Sequence, residues 1–269
     1  MLKSYLKRTT RFSPTVILIT GATGAIGGAL AKFYAKPGVT LHLQGRKQDM
    51  LQEISQQCCS LGAKVETHSV DLLNTSDALV WLKQIDESSP IDLFIANAGM
   101  NINIGRDSSG EKEEEMALLL DLNVKATLLM SGFLAKAMRQ RGCGKIVLMS
   151  SLAGFYGLPI MPSYCASKAA VKAYGEGLRG WLAGSGVSVC VVMPGNIHSA
   201  MCEAMPGPKP FLMAPEPAVR IIARGIAANS PRVSFPFPLN LGSWCLMLLP
   251  AYFSQKILHL LGYTRPTDS

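Results

Sequence analysis

The sequence predicts an α/β fold, a doubly wound parallel sheet flanked by helices and forming a single domain. Three observations carry that prediction. Short apolar or β-branched runs alternate with stretches of helical periodicity along most of the chain, as a parallel sheet covered on both faces requires. The first run, Val16-Ile17-Leu18-Ile19, ends in the glycine-rich stretch Thr20 to Gly28 and passes directly into a helical segment. The 269 residues show no internal repeat and no low-complexity stretch, and they suffice to bury one large core.

Taken in order, residues 1–14 are too polar for a signal peptide, which needs an apolar run of about seven to fifteen residues, and are expected to form a basic tail. After the first strand, Gly21, Thr23, Gly24, Ala25, Ile26 and Gly27 make a turn at a helix start. Glycines there allow close backbone approach, and the helix N-terminus favours a pyrophosphate, so the turn is expected to bind a dinucleotide. The second strand, Thr40 to Leu43, is followed by Gln44-Gly45-Arg46-Lys47. A site preferring NAD(H) places an acid about 20 residues beyond the first glycine. Here Gly45 stands in that place and Arg46 follows, which suits a 2′-phosphate held by charge-assisted hydrogen bonds. NADP(H) is therefore expected over NAD(H); the alternative leaves Arg46 and Lys47 as solvated helix-start residues.

Further along, residues 47–61 have helical periodicity, 63–70 a strand pattern closed by Asp71, and 75–88 another helix. Residues 91–96 form the fourth strand, before Asn97-Ala98-Gly99. One or two helices are expected over 111–140, with the acids from Glu111 to Glu115 as a solvated start that complements the helix dipole. The fifth strand, 144–149, ends at Ser150 and Ser151, the end at which open parallel sheets bind ligands. A long helix over 162–184, a sixth strand over 187–193, a proline-rich loop over 200–217 and a helix over 217–229 complete the pattern. The loop carries five prolines and is expected to be a mobile cover for a substrate.

The chemistry centres on Tyr164 and Lys168, four apart on the long helix and so on one face of it. A free tyrosine, with a pKa near ~10, is a poor proton donor or acceptor at neutral pH. A lysine charge nearby favours the phenolate and is expected to bring the group toward its working range.

Composition excludes several classes. The seven cysteines are scattered with no C-x-x-C pair, so neither a disulfide framework nor a metal site is expected, and reduced thiols suit a cytoplasmic protein. The formal charge of +8 arises in residues 1–48, which hold eight Lys or Arg and no acid. Without aromatic interleaving or a recognition motif, this excess is assigned to an anionic cofactor and a solvated tail, and no nucleic-acid partner is expected.

Several motifs in one order and spacing resemble the classical short-chain dehydrogenase/reductase (SDR) family over about residues 15–230: the glycine turn, Asp71 with Leu72, Asn97-Ala98-Gly99, Asn123, Ser150-Ser151, Tyr164 with Lys168, and Pro194-Gly195. The resemblance implies a Rossmann-type domain, a homodimer or homotetramer, and hydride transfer between NAD(P)(H) and a carbonyl or alcohol. It assigns Asn123, Ser151, Tyr164 and Lys168 to catalysis. Ser151 would hold the substrate oxygen, Lys168 the nicotinamide ribose, and Asn123 a water linking Lys168 to solvent. Pro194, Gly195, Ile197 and Ser199 would bind the carboxamide. Two departures touch the cofactor side: the glycines fall at the first, fourth and seventh places after Thr20, as in extended members of the family, and Ala96 replaces a usual asparagine. The glycine spacing keeps a sugar-nucleotide epimerase or dehydratase as an alternative, and a non-catalytic NADP-binding regulator is a second.

The domain is expected to end at residue 232, leaving 233–269 as an apolar extension. Its uncharged run from Asn240 to Gln255 is too short for a spanning helix of about 20 residues. It is expected to cover a hydrophobic or lipid-like substrate, to meet another subunit, or to touch a membrane surface through residues 235–262.

Overall fold

A computed structural model describes residues 12–105 and 107–263; the basic tail lies outside the described residues apart from 12–14. The chain folds into one seven-stranded sheet, every pairing parallel, in the order β3-β2-β1-β4-β5-β6-β7. The strands are β1 (Val16–Ile19), β2 (Thr40–Gln44), β3 (Lys64–His68), β4 (Leu93–Ala96), β5 (Gly144–Met149), β6 (Val187–Pro194) and β7 (Arg232–Phe235). This is the doubly wound Rossmann-type arrangement. Chain order reverses between β1 and β4, which opens a crevice beyond their C-terminal ends.

Alternation along the strands divides the core. Ile17, Ile19, Leu41 and Leu43 point to one face with Leu30 and Ile222, while Leu18, Phe94, Ile146 and Leu148 point to the other with Leu82 and Leu134. The first face is covered by α1 (Ala25–Tyr34), α2 (Gln48–Ser60) and α8 (Pro215–Ala227). The second is covered by α3 (Thr75–Ser88), α5 (Thr127–Arg141) and α6 (Pro162–Trp181). A short α7 (Ala200–Glu203) precedes α8, and α9 (Leu239–Leu248) and α10 (Ala251–Leu260) follow β7.

One feature sharpens the sequence expectation and two differ from it. The helical region after residue 111 is continuous from Glu113 to Arg141: α4 (Glu113–Leu120) runs through a π-helical stretch, Asp121–Ala126, into α5. That helix is long and apolar enough to cross a membrane by composition, yet Leu119, Met130, Leu134 and Met138 are buried in the core. Glu111 precedes the helix and is no solvated start: its carboxylate accepts the Ser163 N–H at 3.1 Å and the Ser163 hydroxyl, capping the first turn of α6. Finally, β7 carries the sheet beyond residue 232. Its Val233 and Phe235 join the core, a signal that Pro236 and Pro238 obscure in the sequence.

Candidate active site

The glycine turn is built by contacts that tolerate no side chain. Gly21 has φ +64°, and a Cβ on it would stand 2.8 Å from the Ala98 Cα; one on Gly27 would stand 2.8 Å from the Asn97 amide nitrogen and nearer still to the Gly21 carbonyl. Asn97 Nδ2 donates to the Thr20 and Gly21 carbonyls at 3.0 Å each. Thr20 Oγ1 accepts the N–H groups of Asn97 and Ala98 at 3.1 Å. Gln44, buried at the end of β2, accepts from Gly21 N–H at 3.1 Å and donates to the Val70 carbonyl at 2.7 Å. The turn is thereby tied to β2, β4 and the end of β3, with the N-terminus of α1 facing a cleft and no acid in that helix's first turn.

The cleft encloses about 1380 Å³ and runs along the C-terminal ends of the strands. Gly21, Thr23, Gly24, Ala25, Ile26, Arg46, Asp71, Leu72, Asn97, Ala98 and Gly99 line one part of it; Ser151, Tyr164, Lys168, Pro194, Gly195, Ile197 and Ser199 line the next. Two expected residues do not. Gly27 is buried beneath the turn, and Asn123 is buried behind the cleft wall. The Asn123 side chain donates to the Met100 carbonyl at 2.8 Å and to Ser167 Oγ at 3.1 Å, and its Oδ1 accepts the Met100 N–H at 2.8 Å. It clamps the segment after β4 to α6, and its backbone lies in the π-helical stretch.

Tyr164, Lys168 and Ser151 converge as the spacing requires. Ser151 caps a 3₁₀ turn (Leu152–Gly154), accepting from Ala153 N–H at 3.2 Å. Lys168 Nζ donates to the Met149 carbonyl at 3.0 Å and lies 5.5 Å from the centroid of the Tyr164 ring. Ser150 also lines the cleft, but its hydroxyl donates to the Lys168 carbonyl at 2.7 Å and so anchors the helix. Burial pushes the Tyr164 phenol up to about 12, against a hydrogen bond with Ser151 that lowers it. Burial also pushes Lys168 down to about 8. The expectation that Lys168 lowers the phenol is thus not met by the protein groups alone, because desolvation acts on both members.

Residues after β6 are held by their own contacts. Ser199 caps α7, accepting from Cys202 N–H at 3.1 Å; Ile197 bridges Met213; and Asn196 donates to the Pro210 carbonyl at 2.9 Å. His198 is exposed and pairs with Glu203 at 3.3 Å. Outside the cleft, the ligand atoms of His42, Glu66 and His68 lie within 4.8 Å of one another. His42 Nδ1 and His68 Nε2 are hydrogen-bonded at 3.1 Å, and burial pushes His68 down to about 4.

The family profile described as short chain dehydrogenase matches residues 15–207. The chain belongs to the short-chain dehydrogenase family. An uncharacterized oxidoreductase of Myxococcus xanthus (strain DK1622) is 32% identical over 236 residues, 87% of this chain and 92% of the relative. The 3-oxoacyl-(acyl-carrier-protein) reductase FabG of Rickettsia conorii is 32% identical over 189 residues, 70% of this chain and 75% of its own. A solved short-chain dehydrogenase from Sphingobium yanoikuyae in complex with NADPH superposes with TM-score 0.77 at 25% identity, covering 94% of this chain and 98% of that one. As a short-chain dehydrogenase the protein is of an oxidoreductase family that binds a nicotinamide cofactor and acts on small molecules.

Sequence reasoning missed Thr20, Gln44 and Glu111 as site-building groups, and Met149 as the carbonyl under Lys168. Each acts through a buried or partly buried hydrogen bond to a residue distant in sequence. The one local signal was a glutamine at the end of a buried strand.

Proposed function

We propose that this chain is an NADP(H)-dependent oxidoreductase that interconverts a carbonyl and a secondary alcohol on a hydrophobic or lipid-like substrate, with Tyr164 as the acid/base. The observation that carries the reading is the meeting of Ser151, Tyr164 and Lys168 on a cleft whose other end is a cradle that a Cβ at Gly21 would fill. Gly24, Ala25 and Ile26 at the start of α1 would hold the pyrophosphate, Arg46 the 2′-phosphate, Asp71, Leu72 and Ala98 the adenine side, and Ile197 and Ser199 the nicotinamide end. When bound, the nicotinamide cofactor supplies the hydride chemistry.

The chain's own groups then handle position and protons. Ser151 Oγ hydrogen-bonds the substrate oxygen and stabilises charge developing on it. The Tyr164 phenol, kept protonated by burial, donates to that oxygen in the reductive direction and recovers the proton through the Lys168 side. Lys168 binds the ribose hydroxyls and holds the phenolate that reduction leaves, while Asn123 fixes the loop at Met100 and acts as a positioning residue. The apolar wall from Leu158, Met161, Leu246 and Leu258 suits a hydrophobic substrate. Exposed Met116, Leu118, Leu120 and Leu129 on the long helix support self-association, and the seven free thiols support a reducing compartment such as the cytoplasm.

The glycine spacing keeps the epimerase or dehydratase branch as a second reading. The test follows NADPH and NADH oxidation over ketones, quinones, steroids, 3-oxoacyl thioesters and keto-sugars. Turnover of an apolar ketone with NADPH is the expected result. Binding of NADPH without turnover on the whole panel, or turnover of a nucleotide sugar without net cofactor consumption, would replace this reading.

A further inference from the structure

Helices α9 and α10 have two different apolar sides. Their inner side closes the substrate end of the cleft with Leu239, Leu246 and Leu258. Their outer side is bare: Trp244, Tyr252 and Phe253 are 40%, 61% and 55% exposed, and Phe237, just before α9, is 75% exposed. No residue of α9 is buried. Isolated helices of ten residues are marginal in water, so a helix with no fully buried residue and a bare apolar outer side is best accounted for by an apolar medium outside it.

Charge indicates what that medium is. From Pro217 to Thr267 the sequence holds Arg220, Arg224, Arg232, Lys256 and Arg265 and no acid; of these Arg232 is paired with Glu176 of α6, and Lys256 is the one carried by α10 itself. Lys256 lies over the exposed Tyr252 ring, its ammonium 4.5 Å from the centroid. Aromatic rings with a polar edge, flanked by a lysine, are the anchors proteins use at headgroup level. A second copy docked on the same face would oppose like charges, whereas an anionic headgroup layer complements them. The loop at the cleft mouth adds to the surface: Phe211 is 54% exposed and has φ +55°, so strain is held in the backbone where an aromatic ring is presented to solvent.

We propose that α9 and α10 form an interfacial lid, whose outer face rests on an anionic phospholipid bilayer and whose inner face admits a bilayer-dissolved carbonyl compound to Ser151 and Tyr164. The substrate half of this inference rests on the oxidoreductase reading; the docking half does not.

The test is flotation of the full-length chain with phosphatidylglycerol-containing vesicles and with pure phosphatidylcholine vesicles. The wild type is expected to float with the anionic vesicles and to be released by salt. Lys256→Gln should weaken binding about fivefold, the value of one cation near a charged surface. Trp244→Glu combined with Phe253→Glu should weaken it at least roughly tenfold. Neither position lines the cleft, so circular dichroism and the fluorescence of bound NADPH should stay as in the wild type. Should the double variant fail to fold, the Lys256→Gln and salt arms decide. Wild-type protein left in the soluble fraction, or variants that all float like the wild type, overturns the inference. So does light scattering that finds a dimer dissociated by the double variant with no vesicle binding, which assigns the face to a second copy. Vesicle binding with no NADPH oxidation on any ketone would instead remove the oxidoreductase reading and leave the docking intact.

Discussion

Lys168 is the residue at which burial and function oppose each other most directly. Its ammonium is in the core, with one protein hydrogen bond to the Met149 carbonyl. With a native value near 8 against an ordinary 10.5, the unfolded chain holds more protons between those pH values, so stability rises through that window as the burial penalty is relieved. Below pH 8 that penalty is complete and amounts to about 3 kcal/mol. Urea unfolding should therefore show Lys168→Met gaining more over the wild type at pH 7 than at pH 10; a difference independent of pH would refute this. The comparison stops near pH 10 because Tyr164, raised to about 12, contributes in the opposite sense above it. Arg46 lines the cleft next to Gly45, which stands where an acid would serve NAD(H). Arg46→Ala should weaken NADPH roughly tenfold or more, by loss of one charge-assisted contact, and leave NADH nearly unchanged. Titration of both cofactors checks this, and equal losses would detach Arg46 from the 2′-phosphate. Tyr164, Lys168 and Ser151 were legible because their chemistry demands a spacing. Gln44 and Glu111 were not, since a polar residue's burial depends on partners 23 and 52 positions away.

At the scale of elements, hydrophobic runs and glycine or proline punctuation made the strands and most helix limits readable. The fifth strand and the helix at Thr75–Ser88 stand where periodicity sets them. The π-helical stretch escaped because six residues, Asp121–Ala126, are too few to show a widened turn in the apolar pattern. In α6, Gly175 faces the sheet. A Cβ there would stand 2.9 Å from Leu148 and closer to Val191, while Gly177 has open space around it. Thermal unfolding should separate them. Gly175→Val should cost about 1–3 kcal/mol through overpacking. Gly177→Ala should gain about 0.5–1 kcal/mol of helix propensity. A neutral Gly175→Val would contradict this close packing, and a destabilising Gly177→Ala would place a partner against that face.

Over the whole molecule, the sheet's reversal of chain order sets the glycine-turn cradle of β1, β2 and β4 beside the Ser151, Tyr164 and Lys168 group at β5, α6 and β6. That architecture was readable, since each motif announces one strand end and parallel order brings those ends to one side. The extension beyond β7 was readable only as apolar, because which face of α9 meets the cleft and which meets the outside depends on β7, a strand the prolines concealed. The claim that joins both halves is that the cradle binds the hydride carrier while Tyr164 moves the proton. Tyr164→Phe is its most direct test, with cofactor titration and NADPH oxidation measured on the same preparation. The cofactor should bind within about twofold of the wild type, and turnover should fall by about 10²–10⁴-fold, the usual worth of a positioned acid. Turnover at the wild-type rate with the phenylalanine in place would contradict the account.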